Sequence, residues 1–193
     1  NISEEQIINS ALTLYENGWS KIKFYFISGL PTETLEDMDE MAELLNKIKY
    51  RAKLIKREKE LKHGFEITCT LSIFVPKPFT PLQWAPMCTK EEYLGKARVV
   101  NEAVKNQLNH KSIRYNWHEA DVTVLEGVFA RGDRKVAKAI ETAYENGALF
   151  DAWGEHFDYQ LWLDAFAKNG IDITFYNLRQ RDLDEVFPWD FID

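Results

Sequence analysis

Lys21–Glu33, KIKFYFISGLPTE, is the stretch that decides the fold class. Lys21 to Ile27 reads as a strand, with apolar side chains on both pleat faces: Ile22, Phe24, Tyr25, Phe26 and Ile27. That pattern predicts a parallel strand covered on both sides. A tight Gly-Leu-Pro turn follows, and then the Thr/Glu-rich start of a helix. In α/β folds the loop after such a strand is where ligands sit.

The pattern extends outward on both sides. Ser3-Glu4-Glu5-Gln6 predicts a capping box, and Ile7, Ile8, Ala11, Leu12 and Tyr15 then recur at helical spacing up to a Gly18 cap. After the turn, Thr34 opens a helix whose apolar face is Met38, Met41, Ala42, Leu45, Ile48, Ala52 and Ile55, closed by Gly64. Phe65–Val75 alternates cleanly, with Phe65, Ile67, Cys69, Leu71, Ile73 and Val75 on one face and a mainly polar set on the other. That polar face suits either a wet cavity or bulk solvent.

Four prolines within Pro76–Pro86 predict a stiff, extended excursion. A further capping box at Thr89–Glu92 precedes a helix burying Tyr93, Ala97, Val100, Val104 and Leu108, and Ser112–Trp117 reads as a third strand. The order α-β-α-β-α-β implies parallel crossovers, in a barrel or an open sheet. From His118 onward the pattern is helical, with faces Val122/Leu125/Val128/Phe129, Val136/Ala137/Ile140/Ala143/Tyr144 and Leu161/Trp162/Ala165/Phe166, and an aromatic tail reaching Trp189. Two domains are expected, 1–117 and 118–193.

Composition narrows the class. Of 193 residues, 45% are apolar and 13% aromatic, enough to fill a core. A net charge of -7 argues against a general nucleic-acid binder. The long apolar run of a transmembrane helix is missing, as is a signal peptide, so a cytoplasmic, non-membrane setting is expected. Asn1 in place of methionine reads as the start of a trimmed piece. Cys69 and Cys88 are too few and too far apart for a disulfide framework or a zinc motif, and no metal site is expected.

Three stretches together resemble the second half of a radical S-adenosylmethionine enzyme. Phe24–Glu33, FYFISGLPTE, is similar to a mid-barrel strand and turn of that family, and Ser72–Trp84, SIFVPKPFTPLQW, to the next strand and its proline-rich loop. His118–Arg134, HEADVTVLEGVFARGDR, with Phe150–Glu155, FDAWGE, and the closing Phe187-Pro188-Trp189, resembles the C-terminal extension of one uncharacterised branch, often preceded by a cobalamin-binding-like domain. The resemblance implies an α/β fold: the second half of a partial (β/α)6, TIM-like barrel, followed by a mostly helical extension.

The resemblance also implies S-adenosylmethionine and a [4Fe–4S] cluster as cofactors of the whole protein. Cluster iron needs closely spaced thiolates, CxxxCxxC, which this chain lacks. The chain is therefore expected to be a C-terminal fragment, inert when isolated, whose missing N-terminal half is its natural partner. By matched position, Ser28, Gly29, Glu33, Val75 and Pro76 would line the cofactor site. The same resemblance makes Arg131-Gly132-Asp133-Arg134 a recurrent signature that, with His118, Glu119 and Glu126, would form a polar patch over the barrel mouth. The local chemistry favours an ordinary ion-paired turn there.

Asp151 and Glu155 are candidates for acid–base or substrate contact beside His156, against a plain solvated loop packed by Trp153. His118, Arg131, Asp133, Asp151 and Glu155 make up the substrate candidates. Lys47–Lys62, KIKYRAKLIKREKELK, reads as an RNA contact or, better, as the solvated face of a long helix. A half-barrel has an open sheet edge on its N-terminal side, which predicts self-association. The alternative is a non-catalytic docking module, recruiting protein or RNA through Pro76–Pro86 and the helical appendage.

Overall fold

Ser3 accepts from the Gln6 amide while the Gln6 side chain accepts from the Ser3 amide. This capping box starts α1, Glu4–Glu16. A computed structural model describes residues 2–192. Strand β1, Lys21–Ser28, leads through the Gly-Leu-Pro turn into α2, Leu35–Glu58. Strand β2, Glu66–Ile73, α3, Lys90–Asn106, and β3, Ile113–Trp117, follow. The mostly helical remainder holds α4, Ala120–Arg131, α5, Val136–Glu145, α6, Tyr159–Lys168, and α7, Ile173–Asn177. The fold is mixed α/β, with a small open parallel sheet in the order β1-β2-β3. Ile67, Cys69 and Leu71 of β2 stand opposite Ile113, Tyr115 and Trp117 of β3.

Two compact units make up the chain. The first comprises the residues through Ser72 together with Glu91–His118; the second comprises Ile73–Lys90 together with the residues from Glu119 onward. The proline-rich segment thus groups with the helices, whereas the sequence boundary falls at 117/118.

In the first unit, helices α1, α2 and α3 bury Ile8, Tyr15, Met38, Leu45, Ile48 and Val100 against Ile67 and Cys69 of the sheet. Each is an apolar side chain removed from water, at about 1.5–3 kcal/mol apiece. Burial pushes the Cys69 thiol up to about 12, so it packs as a small apolar group. Tyr15 donates to the His63 carbonyl at 3.0 Å and packs edge-on against the His63 ring. Tyr93 donates to the carbonyls of Leu71 and His118, joining the ends of β2 and β3.

Several expectations change. The two faces of β1 differ: Ile22, Phe24 and Phe26 pack on the core, while Tyr25 is 69% and Ile27 52% exposed. The reason is cover: the core residues of α1, α2 and α3 pack on the Ile22/Phe24/Phe26 face, and the Tyr25/Ile27 face is left open. Helix α2 stops at Glu58, before Gly64, with Glu60 in the left-handed region. Helix α3 stops at Asn106, so Leu108 lies past its end and is 95% exposed.

In the second unit, α5 turns Ala139, Thr142 and Ala143 inward and leaves Ile140 and Tyr144 exposed. Small residues on that face suit close packing against Trp162, Ala165 and Phe166 of α6. The four prolines do not extend the chain: residues 78–84 fold into turns, with Phe79 at a φ of 60° and the Gln83 amide donating to Thr80.

Candidate functional site

The turn after β1 is built on one carboxylate. Glu33 Oε1 accepts from the Ser28 hydroxyl at 2.8 Å, from the Gly29 amide at 2.8 Å and from Lys96 Nζ at 2.7 Å. The Glu33 side chain is only 6% exposed and Lys96 17%. Gly29 has a φ of 90°, a conformation that strains any side chain. Thr34 then caps α2 through a reciprocal pair with Asp37, which holds the Asp37 carboxyl below the usual range. The arrangement fixes the backbone at Gly29, which is buried, at the carboxyl end of a parallel strand. Ser28 and Glu33 spend their polar atoms on each other and on the turn, so they shape the site rather than point out of it. Lys96, 63 residues beyond Glu33 in the chain, has no local sequence signal that would reveal it.

Val75 is half-buried and Pro76 buried, and both belong to the second unit. There the proline-rich segment is tied down from several sides. The Arg181 amide donates to the Trp84 carbonyl at 3.0 Å, the Met87 amide to the Asn177 carbonyl at 2.8 Å, and Trp189 Nε1 to Gln83 Oε1 at 3.0 Å. Phe187 and Trp189 stack at 4.8 Å, with the Arg181 guanidinium over both rings.

Arg131 is 1% exposed and donates Nη1 to the Ala85 carbonyl. The polar patch expected with His118, Glu119 and Glu126 therefore lacks Arg131, whose side chain turns inward, while Arg134 is exposed. Burial, then the charges of Arg181 and Arg179, lowers the pKa of Arg131 to about 10. Arg181 donates to the Arg131 carbonyl at 3.0 Å, and Arg179 pairs through both nitrogens with Glu185, at 2.6 and 2.8 Å. Glu185 is the carboxylate facing this group, 3.9 Å from Arg181. Nothing in the sequence distinguishes it from its acidic neighbours Asp182 and Asp184.

Gly132 has an extended backbone, not a left-handed cap. Its role is space: a Cβ there would come within 2.7 Å of the Val128 carbonyl oxygen. Asp133 accepts from the Lys135 amide and from the Tyr176 hydroxyl, at 2.8 and 3.1 Å. Burial, then that carboxylate, pushes Tyr176 up to about 12. The Arg-Gly-Asp-Arg turn is thus occupied with holding the fold.

His118 is exposed and meets Ser72 Oγ at 3.3 Å. Asp151 and Glu155 part company: Asp151 Oδ2 accepts from Trp162 Nε1 at 3.1 Å, while Glu155 and His156 are exposed. Trp153, expected to pack the loop, is itself exposed, and Trp162 of α6 takes that part. The basic face of α2 is largely matched by α1, through Lys47–Glu4, Arg51–Glu5 and Lys59–Glu16, and Lys49 is buried over the Phe65 ring. That pairing favours the reading as a helix face.

Among the described residues no group of three His, Cys, Asp or Glu side chains is placed to hold a metal, and no helix is long and apolar enough to cross a membrane. No family model matches the chain, and no solved structure matches it. It is similar to an uncharacterised protein of Methanocaldococcus jannaschii, 24% identical over 170 residues that cover 88% of this chain and 34% of that protein. The chain spans about a third of that relative's length.

Proposed function

We propose that the chain is the C-terminal part of a radical S-adenosylmethionine enzyme, its sheet the second half of a partial barrel. One observation carries the reading: the left-handed Gly29 turn, clamped by Glu33, at the carboxyl end of a parallel strand. The length of the archaeal relative is consistent with a larger whole. When bound, S-adenosylmethionine with its cluster supplies the radical chemistry. The cluster does not fit this chain's thiols. Cys69 is sealed in the core with its pKa raised to about 12, the opposite of the thiolate that iron requires. Cluster ligands would therefore lie outside these residues, and the isolated chain would be inactive.

Within this proposal Gly29 lets the cofactor approach the backbone closely, and Ser28 and Glu33 hold that backbone in place. Gly29→Val in the full-length enzyme, assayed anaerobically for 5′-deoxyadenosine, will lose at least tenfold in S-adenosylmethionine cleavage, because the added side chain would obstruct the close approach of the cofactor to this backbone. Cleavage at the wild-type rate would sink the proposal.

The exposed edge of β1 is where strands of an N-terminal half would pair. An isolated chain then carries an unmet edge flanked by exposed Tyr25 and Ile27. Light scattering will show concentration-dependent association, and Ile27→Lys will reduce it. A strictly monomeric wild type at high concentration would count against the missing half. The docking-module reading has less support, because Gln83, Trp84 and Ala85 of the proline-rich segment are engaged within their own unit.

A further inference from the structure

The three stretches Ser72–Trp84, His118–Arg134 and Phe150–Glu155 each send residues to one cavity of the second unit, about 460 Å³ in volume. That size suits a small organic ligand. Leu125 and Phe129 of α4, with Phe157 and Trp162, form apolar walls, and Phe129 meets Trp162 edge-on at 5.2 Å. Phe129 and Val122, both on this cavity, are partly open to solvent, although both lie on the apolar stripe of α4. Three charged side chains line the same space: Lys77, Glu126 and Asp151. Lys77 is committed to Glu126 as an ion pair.

Asp151 is the unbalanced member. Its Oδ2 is held by Trp162 Nε1, which orients the carboxyl group, and its Oδ1 is buried without a hydrogen-bond partner. A buried, unpartnered carboxylate oxygen costs free energy until a donor reaches it. Two carboxylates against one ammonium leave the cavity negative, and aromatic faces favour a cation further.

From these features we infer that this cavity binds a small aromatic amine, its protonated nitrogen drawn to the Asp151 carboxylate and its ring lying among Phe129, Phe157 and Trp162. The site lies wholly within the second unit, and it stands or falls independently of S-adenosylmethionine. The ring would displace water from apolar wall, and the ammonium would meet a carboxylate whose orientation Trp162 already fixes, so little ordering remains to be done on binding.

Isothermal titration of the whole chain with tryptamine, and with indole-3-acetate as the probe of opposite charge, tests the site. Tryptamine will bind at least tenfold more tightly than indole-3-acetate. Asp151→Asn, which keeps an acceptor for Trp162, will weaken tryptamine at least tenfold and erase the preference. Ala130→Phe, placed to fill the cavity, will block binding, with circular dichroism melting to establish that both variants stay folded. Equal affinity for the two probes, no tryptamine binding at millimolar concentration, or undiminished binding by either folded variant would each overturn the inference.

Discussion

Glu185→Gln will destabilise the second unit by about 3 kcal/mol, measured as a fall in the denaturant midpoint. Glu185 pairs with Arg179 through both nitrogens and lies 3.9 Å from Arg181, while Arg131 is buried nearby with Nε and Nη2 unpartnered. Removing its charge leaves these guanidiniums facing one another, and a buried charge stripped of its counter-ion costs far more than an exposed pair contributes. The effect carries a pH signature. The hydrogen bond from Arg179, then the charges of Arg179, Arg181 and Arg131, hold the Glu185 carboxyl below its ordinary value of 4.5, against the opposing pull of burial. A group whose pKa is depressed by folding contributes stability above its unfolded value, and that contribution is lost as pH falls through the folded one. The gap between wild type and variant will therefore be full above about pH 4.5 and will close at lower pH. A constant gap from pH 7 to pH 3 would refute the charge account.

Glu33→Ala will cost the first unit about 3 kcal/mol, because it frees three donors at once: Ser28 Oγ, the Gly29 amide and Lys96 Nζ. Amide exchange at Gly29 will speed up in step with the lost stability. Glu33→Gln will cost less, since a side-chain carbonyl still accepts from Ser28 and Gly29 and only the charge facing Lys96 is lost. If Glu33→Ala kept both the wild-type denaturant midpoint and the protection of Gly29, the carboxylate would not be what holds this turn. Because the turn is the element that carries the functional proposal, its rigidity and its chemistry are separable: Glu33 variants test the first, Gly29→Val the second.

What was legible in the chain was periodic or local. The capping boxes at Ser3 and Thr34 are satisfied within three residues, so their chemistry can be seen from spacing alone. The alternation of β2 survives because its buried face, Ile67, Cys69, Leu71 and Ile73, is decided by side-chain direction along one strand. Gly29 is legible for a similar reason, since a sharp strand-to-helix turn needs a residue without a Cβ.

The misreadings share a cause. Tyr25 and Ile27 are as apolar as Phe24 and Phe26, and only the packing of helices on one face of the sheet decides which pair meets the core. Arg131 looked like part of a surface turn and is instead interior, because the carbonyl it serves, at Ala85, comes from a segment 46 residues away.

The sequence by itself determined the order of elements through α6, the parallel character of the sheet and the turn after β1. Hydrophobic period, caps and glycine positions are properties of neighbours in the chain. Tertiary structure alone decided the partners: Lys96 for Glu33, Glu185 for the arginines, and Trp162 for Asp151. Charges and hydrogen bonds act over a few ångströms in space, and the residues they join here lie from 4 to 63 positions apart.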